Sequence, residues 1–147
     1  MNYNIRQADI NDLNGIHVLQ NEYEHTLISL SSLKDDLQND LCIYFVALDN
    51  GSSIIGAIGG TILVDHLDIS IVITKKDFIG KGIASSLLSN LINYCKEQNI
   101  EKIFLEVRQS NLPAINLYEK FNFTKISTRK NYYTDTNEDA LIYMLEI

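Results

Sequence analysis

Residues 67–123 constrain the fold more than any other part of the chain. They open on an alternating apolar run, Leu67-Asp68-Ile69-Ser70-Ile71-Val72-Ile73, which predicts a β-strand. A glycine loop follows, Phe78-Ile79-Gly80-Lys81-Gly82-Ile83-Ala84-Ser85. Leu87, Leu88, Leu91, Ile92 and Cys95 then recur at helical spacing. Residues 102–108 predict a second strand and residues 113–120 a second helix. A strand, a crossover helix and another strand imply parallel neighbours whose sheet is covered by that helix.

The remaining elements fit around this unit. Residues 3–7 predict a first strand. Asp9 is placed to cap a helix from Ile10 to about Tyr23, and a second helix is expected over 31–38. Residues 42–48 and 53–63 predict strands joined by Asp49-Asn50-Gly51-Ser52, a turn whose Asn-Gly pair accepts positive φ. Gly56, Gly59 and Gly60 in the return strand allow close backbone approach or a bulge. Strands are expected at 124–128 and 139–145, separated by a polar, tyrosine-bearing loop at 131–137. The order is β-α-α-β-β-β-α-β-α-β-β. It predicts an α/β fold with a mixed central sheet and helices on both faces, in one domain spanning 1–147.

Composition narrows the function. The net charge of −7 makes duplex nucleic acid a poor partner and suits a cationic amine or basic peptide, or solubility alone. Neither an apolar leader at the N-terminus nor a run long enough for a membrane is visible, so a cytoplasmic location is expected. Cys42 and Cys95 lie outside any C-x-x-C motif and are expected as thiols. His17, His25 and His66 lack metal-ligand spacing, so no metal is expected.

Three features carry candidate chemistry. Gly80 and Gly82 could be a plain turn. Between a strand and a helix N-terminus, however, small residues and unpaired N–H groups can hold a pyrophosphate. Lys75, Lys76 and Lys81 reverse the local charge, as an anionic ligand requires. The loop is neither a P-loop nor a dinucleotide fingerprint. Glu106 is an acid inside an apolar strand: either a base whose burial raises its basicity, or a strand-end carboxylate paired with Arg108 or Lys102. Asn111 and Pro113 mark the start of a helix on which Ala114, Leu117, Tyr118 and Phe121 share a face. Tyr118 is either a core aromatic or a proton donor. Asn122 falls where a left-handed residue is expected.

These motifs together resemble the GCN5-related N-acetyltransferases (GNAT fold), and among them the RimI-type ribosomal-protein-alanine N-acetyltransferases. The superfamily loop R/Q-x-x-G-x-G/A aligns with residues 79–84, with Ile79 in place of Arg or Gln. Leu105-Glu106-Val107-Arg108-Gln109-Ser110-Asn111 matches L-E-V-R-x-S-N, and Ala114-Ile115-Asn116-Leu117-Tyr118 matches A-I-x-L-Y. Arg129-Lys130-Asn131-Tyr132-Tyr133 and Glu138-Asp139-Ala140 match R-x-N-Y-Y and E-D-A. The likeness is specific over 71–145; the chain has no Trp, and Asn122 replaces a usual Gly. The resemblance implies acetyl-CoA as cosubstrate and the N-terminal α-amine of a ribosomal protein as acceptor. It assigns the pantetheine arm to the backbone of Val72, Ile73 and Thr74, and the pyrophosphate to Gly80, Lys81, Gly82, Ile83, Ala84 and Ser85. Asn111 would contact the cofactor, Glu106 would be the base and Tyr118 the acid. Competing expectations are an acetyltransferase for a small amine such as a polyamine, a non-catalytic acyl-CoA-binding module and a phosphate-binding signalling domain.

Overall fold

The structure, a computed structural model, describes residues 2–24, 28–50 and 52–147. Seven strands form one sheet: β1 (Tyr3–Gln7), β2 (Cys42–Asp49), β3 (Ile54–Leu63), β4 (His66–Thr74), β5 (Lys102–Arg108), β6 (Thr124–Tyr133) and β7 (Glu138–Glu146). Their spatial order is β1-β2-β3-β4-β5-β7-β6, and only the β4–β5 pair is parallel. Helices α1 (Leu13–Gln20) and α2 (Leu30–Leu37) supply Ile16, Leu19 and Leu33 to one apolar layer with Tyr44, Val46, Ile71 and Ile73. Helices α3 (Ile83–Glu97) and α4 (Leu112–Lys120) cover the opposite face, where Leu87, Leu88, Leu91, Cys95, Ile115 and Tyr118 pack on Ile58, Ile103 and Leu105. The expected mixed sheet with helices on both faces is therefore present.

The first helix is shorter than its pattern suggests. Asp9 caps as expected, accepting from Asn11 N–H at 2.9 Å, while Asp12 Oδ2 accepts from Asp9 N–H at 2.9 Å. A 3-10 turn (Ile10–Asp12) precedes α1, which stops at Gln20 rather than near Tyr23. The Gln20 carboxamide bonds both backbone groups of Ile28, at 2.8 and 3.2 Å, and ties the end of α1 to the residue before the α2 cap. Asp12 is buried and takes a two-pronged contact from Arg6, with both bonds 2.8 Å long. Hydrogen bonding from that guanidinium holds the Asp12 carboxyl below the usual carboxylate range, against the opposing pull of burial. A depressed carboxylate stabilises the fold above its unfolded pKa of ~3.9 and stops doing so as pH falls through the lower folded value. Asp12→Asn is expected to lower stability at neutral pH by about 1–3 kcal/mol. Acid titration of both proteins by circular dichroism should bring their stabilities together once the pH has fallen through the lowered folded-state pKa of Asp12. A gap that persists there would show that the ion pair is not its source.

The β2–β3 hairpin closes through Asp49 N–H to Ser53 C=O at 3.0 Å, while Gly51, and with it the expected turn conformation, lies outside the described residues. Close approach explains Gly59 and Gly60: a β-carbon at Gly59 would collide with the buried Tyr44 ring, and one at Gly60 with the Asp68 carbonyl. The register shifts at this point, pairing Gly59 with Ile71 and Gly60 with Ile69 and leaving Ser70 as the extra residue of a bulge on β4. The later strands run longer than expected. β6 continues to Tyr133, so the expected 131–137 loop shrinks to 134–137. Asn131 has φ 53° and its N–H bonds the Asp139 carboxylate at 2.9 Å, so a bulge in β6 replaces the first part of that loop. Asn122 adopts the expected left-handed conformation, φ 71°.

Candidate active site

The site begins where β4 and β5 part. They pair only through His66–Lys102, Leu67–Ile103 and Asp68–Phe104. The Ser70 bulge turns β4 away, whereas β5 stays paired with β7 from Lys102 to Arg108. Beyond the split, one edge of β4 is left without a strand partner and can accept another extended chain. Lys75 N–H bonds Ile55 C=O at 2.8 Å, so by alternation Ile73 also turns its backbone toward β3. Val72 and Thr74 turn theirs to the split. The Thr74 carbonyl already accepts a hydrogen bond from the Tyr23 hydroxyl. That bond, with Glu22 Oε1 accepting from Lys76 N–H at 2.8 Å, ties the α1–α2 connection to the end of β4.

The glycine loop lies past that end. Gly80 and Gly82 have φ of 84° and 81°, which explains glycine at both. The first bond of α3 runs from Ser86 N–H to Gly82 C=O at 3.0 Å, so the amides of Ile83, Ala84 and Ser85 precede the helical ladder. A β-carbon at Gly80 or Gly82 would meet nothing within 4 Å, so the cradle is open. The Tyr3 hydroxyl shares a 2.6 Å hydrogen bond with Ser86 Oγ and anchors the first turn of α3. Of the three lysines, Lys76 lies over the Tyr23 ring with Nζ 5.0 Å from its centroid, and Lys81 is exposed. Ile79, which stands where the resembling superfamily loop carries Arg or Gln, is exposed.

Glu106 and Tyr118 come from opposite faces. Ile103, Leu105 and Val107 point into the α3–α4 layer, so Glu106 points to the other side. Contrary to the expectation of burial, its side chain is 34% exposed. Its partner is neither Arg108 nor Lys102 but Arg129, with Nη1 3.4 Å from Oε1. Tyr118 is buried against Phe123 in the α4 layer, and its hydroxyl has no hydrogen-bond partner among the described residues. Burial, and secondarily Tyr133, pushes its pKa up and keeps the phenol protonated. Ala114, Leu117 and Phe121 are only half-buried, and Ile115, omitted from the expected face, is buried instead. Asn111 caps α4, its Oδ1 accepting from Ala114 N–H at 3.3 Å. Both cysteines are free thiols; Cys95 is buried and pushed up to about 11, and burial raises Cys42 as well. Neither thiol has the lowered pKa of a nucleophile.

Sequence reading passes over Tyr3, Tyr23 and Tyr133 as individual site residues. Burial, and secondarily Glu106, pushes the Tyr133 pKa up, and Tyr133 is in turn the lesser cause, after burial, of the raised Tyr118 pKa. The Tyr132-Tyr133 doublet was the available signal. Nothing local marks Tyr3 or Tyr23, whose partners lie 83 and 51 residues away in sequence.

Comparison with known proteins agrees with this geometry. The family described as Acetyltransferase (GNAT) matches residues 10–123. The [ribosomal protein bS18]-alanine N-acetyltransferase of Escherichia coli K12 is 34% identical over 112 residues, covering 75% of each chain. An N-alpha-acetyltransferase of Sulfolobus acidocaldarius is 32% identical over 157 aligned positions, covering 97% of this chain and 91% of its own. The crystal structure of the Escherichia coli ribosomal-protein-S18-alanine N-acetyltransferase superposes with a TM-score of 0.92 at 26% identity, covering 99% of this chain and 94% of that one. The split sheet, the open glycine cradle and these matches lead to one assignment: the chain belongs to the GNAT acetyltransferase family and is an acetyltransferase.

Proposed function

We propose that this enzyme moves the acetyl group of acetyl-CoA onto the N-terminal α-amine of a ribosomal protein, with alanine as the favoured first residue. The observation that carries the reading is the split between β4 and β5, with Glu106 on one face, Tyr118 on the other and the open α3 cradle beyond its end. The acceptor class follows the Escherichia coli relative, whose name specifies a ribosomal-protein alanine. The whole chain, 1–147, acts as one domain in the cytoplasm, where ribosomal proteins are made.

The cradle suits a pyrophosphate because it offers free N–H groups, a positive helix end and space above both glycines. Residues 80–85 hold those phosphates. Val72 and Thr74 present the backbone edge to the pantetheine arm, with Ile73 between them, and Asn111 lines the cofactor at the start of α4. Acetyl-CoA supplies an activated acetyl carbon as a thioester. Glu106 takes a proton from the acceptor's ammonium, directly or through a water; the pKa of ~8 of an α-amine makes this a mild demand. The amine nitrogen then bonds to the acetyl carbon as the carbon–sulfur bond breaks; Tyr118 gives its proton to the departing sulfur, the nitrogen releases its second proton to solvent, and solvent reprotonates Tyr118. No cysteine takes part, in keeping with the raised pKa of both thiols.

Incubation with acetyl-CoA and separate acceptors tests the reading: a peptide beginning with Ala, spermidine, and lysine. Acetylation of the peptide is expected. Acetylation of spermidine alone would move the assignment to a small polycation, which the charge of −7 also suits. Binding of acetyl-CoA without turnover of any acceptor would favour a regulatory module.

Gly82→Glu tests the cradle. The substitution forces a side chain into φ 81° and brings a negative charge to the phosphates. Calorimetry should show acetyl-CoA affinity reduced about tenfold or more, since 1.4 kcal/mol is a factor of ten. Unchanged affinity in a folded variant would remove the loop from the binding site.

A further inference from the structure

Arg108 does not pair along its own strand. Its guanidinium grips the β6–β7 turn, donating through Nη1 and Nη2 to the two Asp135 carboxylate oxygens at 3.2 Å each. Nη1 also donates to Thr136 Oγ1 at 3.1 Å and Glu138 Oε2 at 3.4 Å. The same cation lies over the Tyr133 ring, 4.0 Å from its centroid. Glu138 extends the grip, accepting from Thr136 Oγ1 at 2.8 Å and from Ser110 N–H at 3.2 Å. Isolated surface ion pairs contribute little, but this side chain is only 19% exposed and uses the planar fork that lysine lacks.

The sheet does not need this grip. β7 is already paired with β5 from Glu146 back to Ala140 and with β6 from Met144 back to Glu138. What the grip adds is the position of the turn and of Tyr133, which ends β6, the strand whose Arg129 reaches Glu106 at 3.4 Å. Resting on the acceptor reading proposed above, we infer that Arg108 is a positioning residue, which clamps the β6–β7 turn and stacks on Tyr133 to hold one wall of the acceptor slot beside Glu106.

The test compares wild type, Arg108→Gln and Arg108→Lys well below their melting temperatures. For the N-terminal-Ala peptide, kcat/KM should fall about tenfold or more in both variants, mainly through KM, because sub-ångström placement of the acceptor is lost. Lysine should rescue little, since it keeps the charge but not the fork. Acetyl-CoA affinity by calorimetry should not change, because the Arg108 side chain touches neither β4 nor α3, and Asn111 is held separately as the cap of α4. Hydrogen exchange at the Ser110 and Asn131 amides should quicken. A lower Tm with an unchanged peptide KM would make Arg108 merely structural and overturn the inference, as would full rescue by lysine. If the wild type does not acetylate the peptide, the acceptor reading falls, and exchange alone then judges the clamp: unchanged protection in Arg108→Gln overturns it.

Discussion

Glu106→Gln is expected to lower kcat about 10²-fold or more while leaving acetyl-CoA affinity near that of wild type. The amide keeps the volume and the hydrogen-bond reach of the carboxylate but cannot take a proton. The side chain stands at the mouth of the split on the face opposite Tyr118, one-third exposed, so the change leaves no orphaned buried charge. Its ion pair with Arg129, at 3.4 Å, is exposed enough that losing it should hardly move Tm. Rate and stability therefore separate. The pH–rate profile should also lose the limb that reports the base. Identical profiles for the two proteins would exclude Glu106 from proton transfer and reduce it to a surface carboxylate.

Tyr118→Phe is expected to cost about 10²–10⁴-fold in kcat with little change in Tm or acetyl-CoA binding. The ring does the packing, against Phe123 and the α4 layer. The hydroxyl has no partner among the described residues, so its removal strands no donor or acceptor there. A loss of rate without a loss of stability is the signature of a proton donor. Burial keeps the proton on this phenol at neutral pH, the state an acid needs. A phenylalanine variant with wild-type turnover would make Tyr118 a core aromatic and nothing more.

The legible parts of this fold are those set by local periodicity. Residues 102–108 alternate and form β5 with those bounds. Leu87, Leu88, Leu91, Ile92 and Cys95 are all buried along α3 as their spacing requires. Asn111 and Pro113 start α4, where a cap and a fixed φ favour a helix. The rest depends on distant chain. Alternation places Glu106 opposite Leu105 but does not say that its side remains partly open. The full length of β6 escaped because Asn131 reads as loop, whereas the Asp139 carboxylate absorbs it into a bulge. The parting of β4 from β5, which makes the site, follows from a bulge at Ser70 that a single strand's pattern cannot show. Arg108 shows the same limit: its charge is plain in sequence, but its partners come from a turn 27 to 30 residues away.

The central claim is transfer to an α-amine, and the nitrogen that receives the acetyl group tests it most directly. The enzyme is incubated with acetyl-CoA and two peptides of the same composition. One begins with a free alanine and carries an internal lysine; in the other the α-amine is blocked and the lysine is kept. Fragment mass spectra locate the modification. The account predicts one added acetyl group on the alanine nitrogen of the free peptide and none on the blocked one. Acetylation of the lysine in both peptides at equal rates would contradict it.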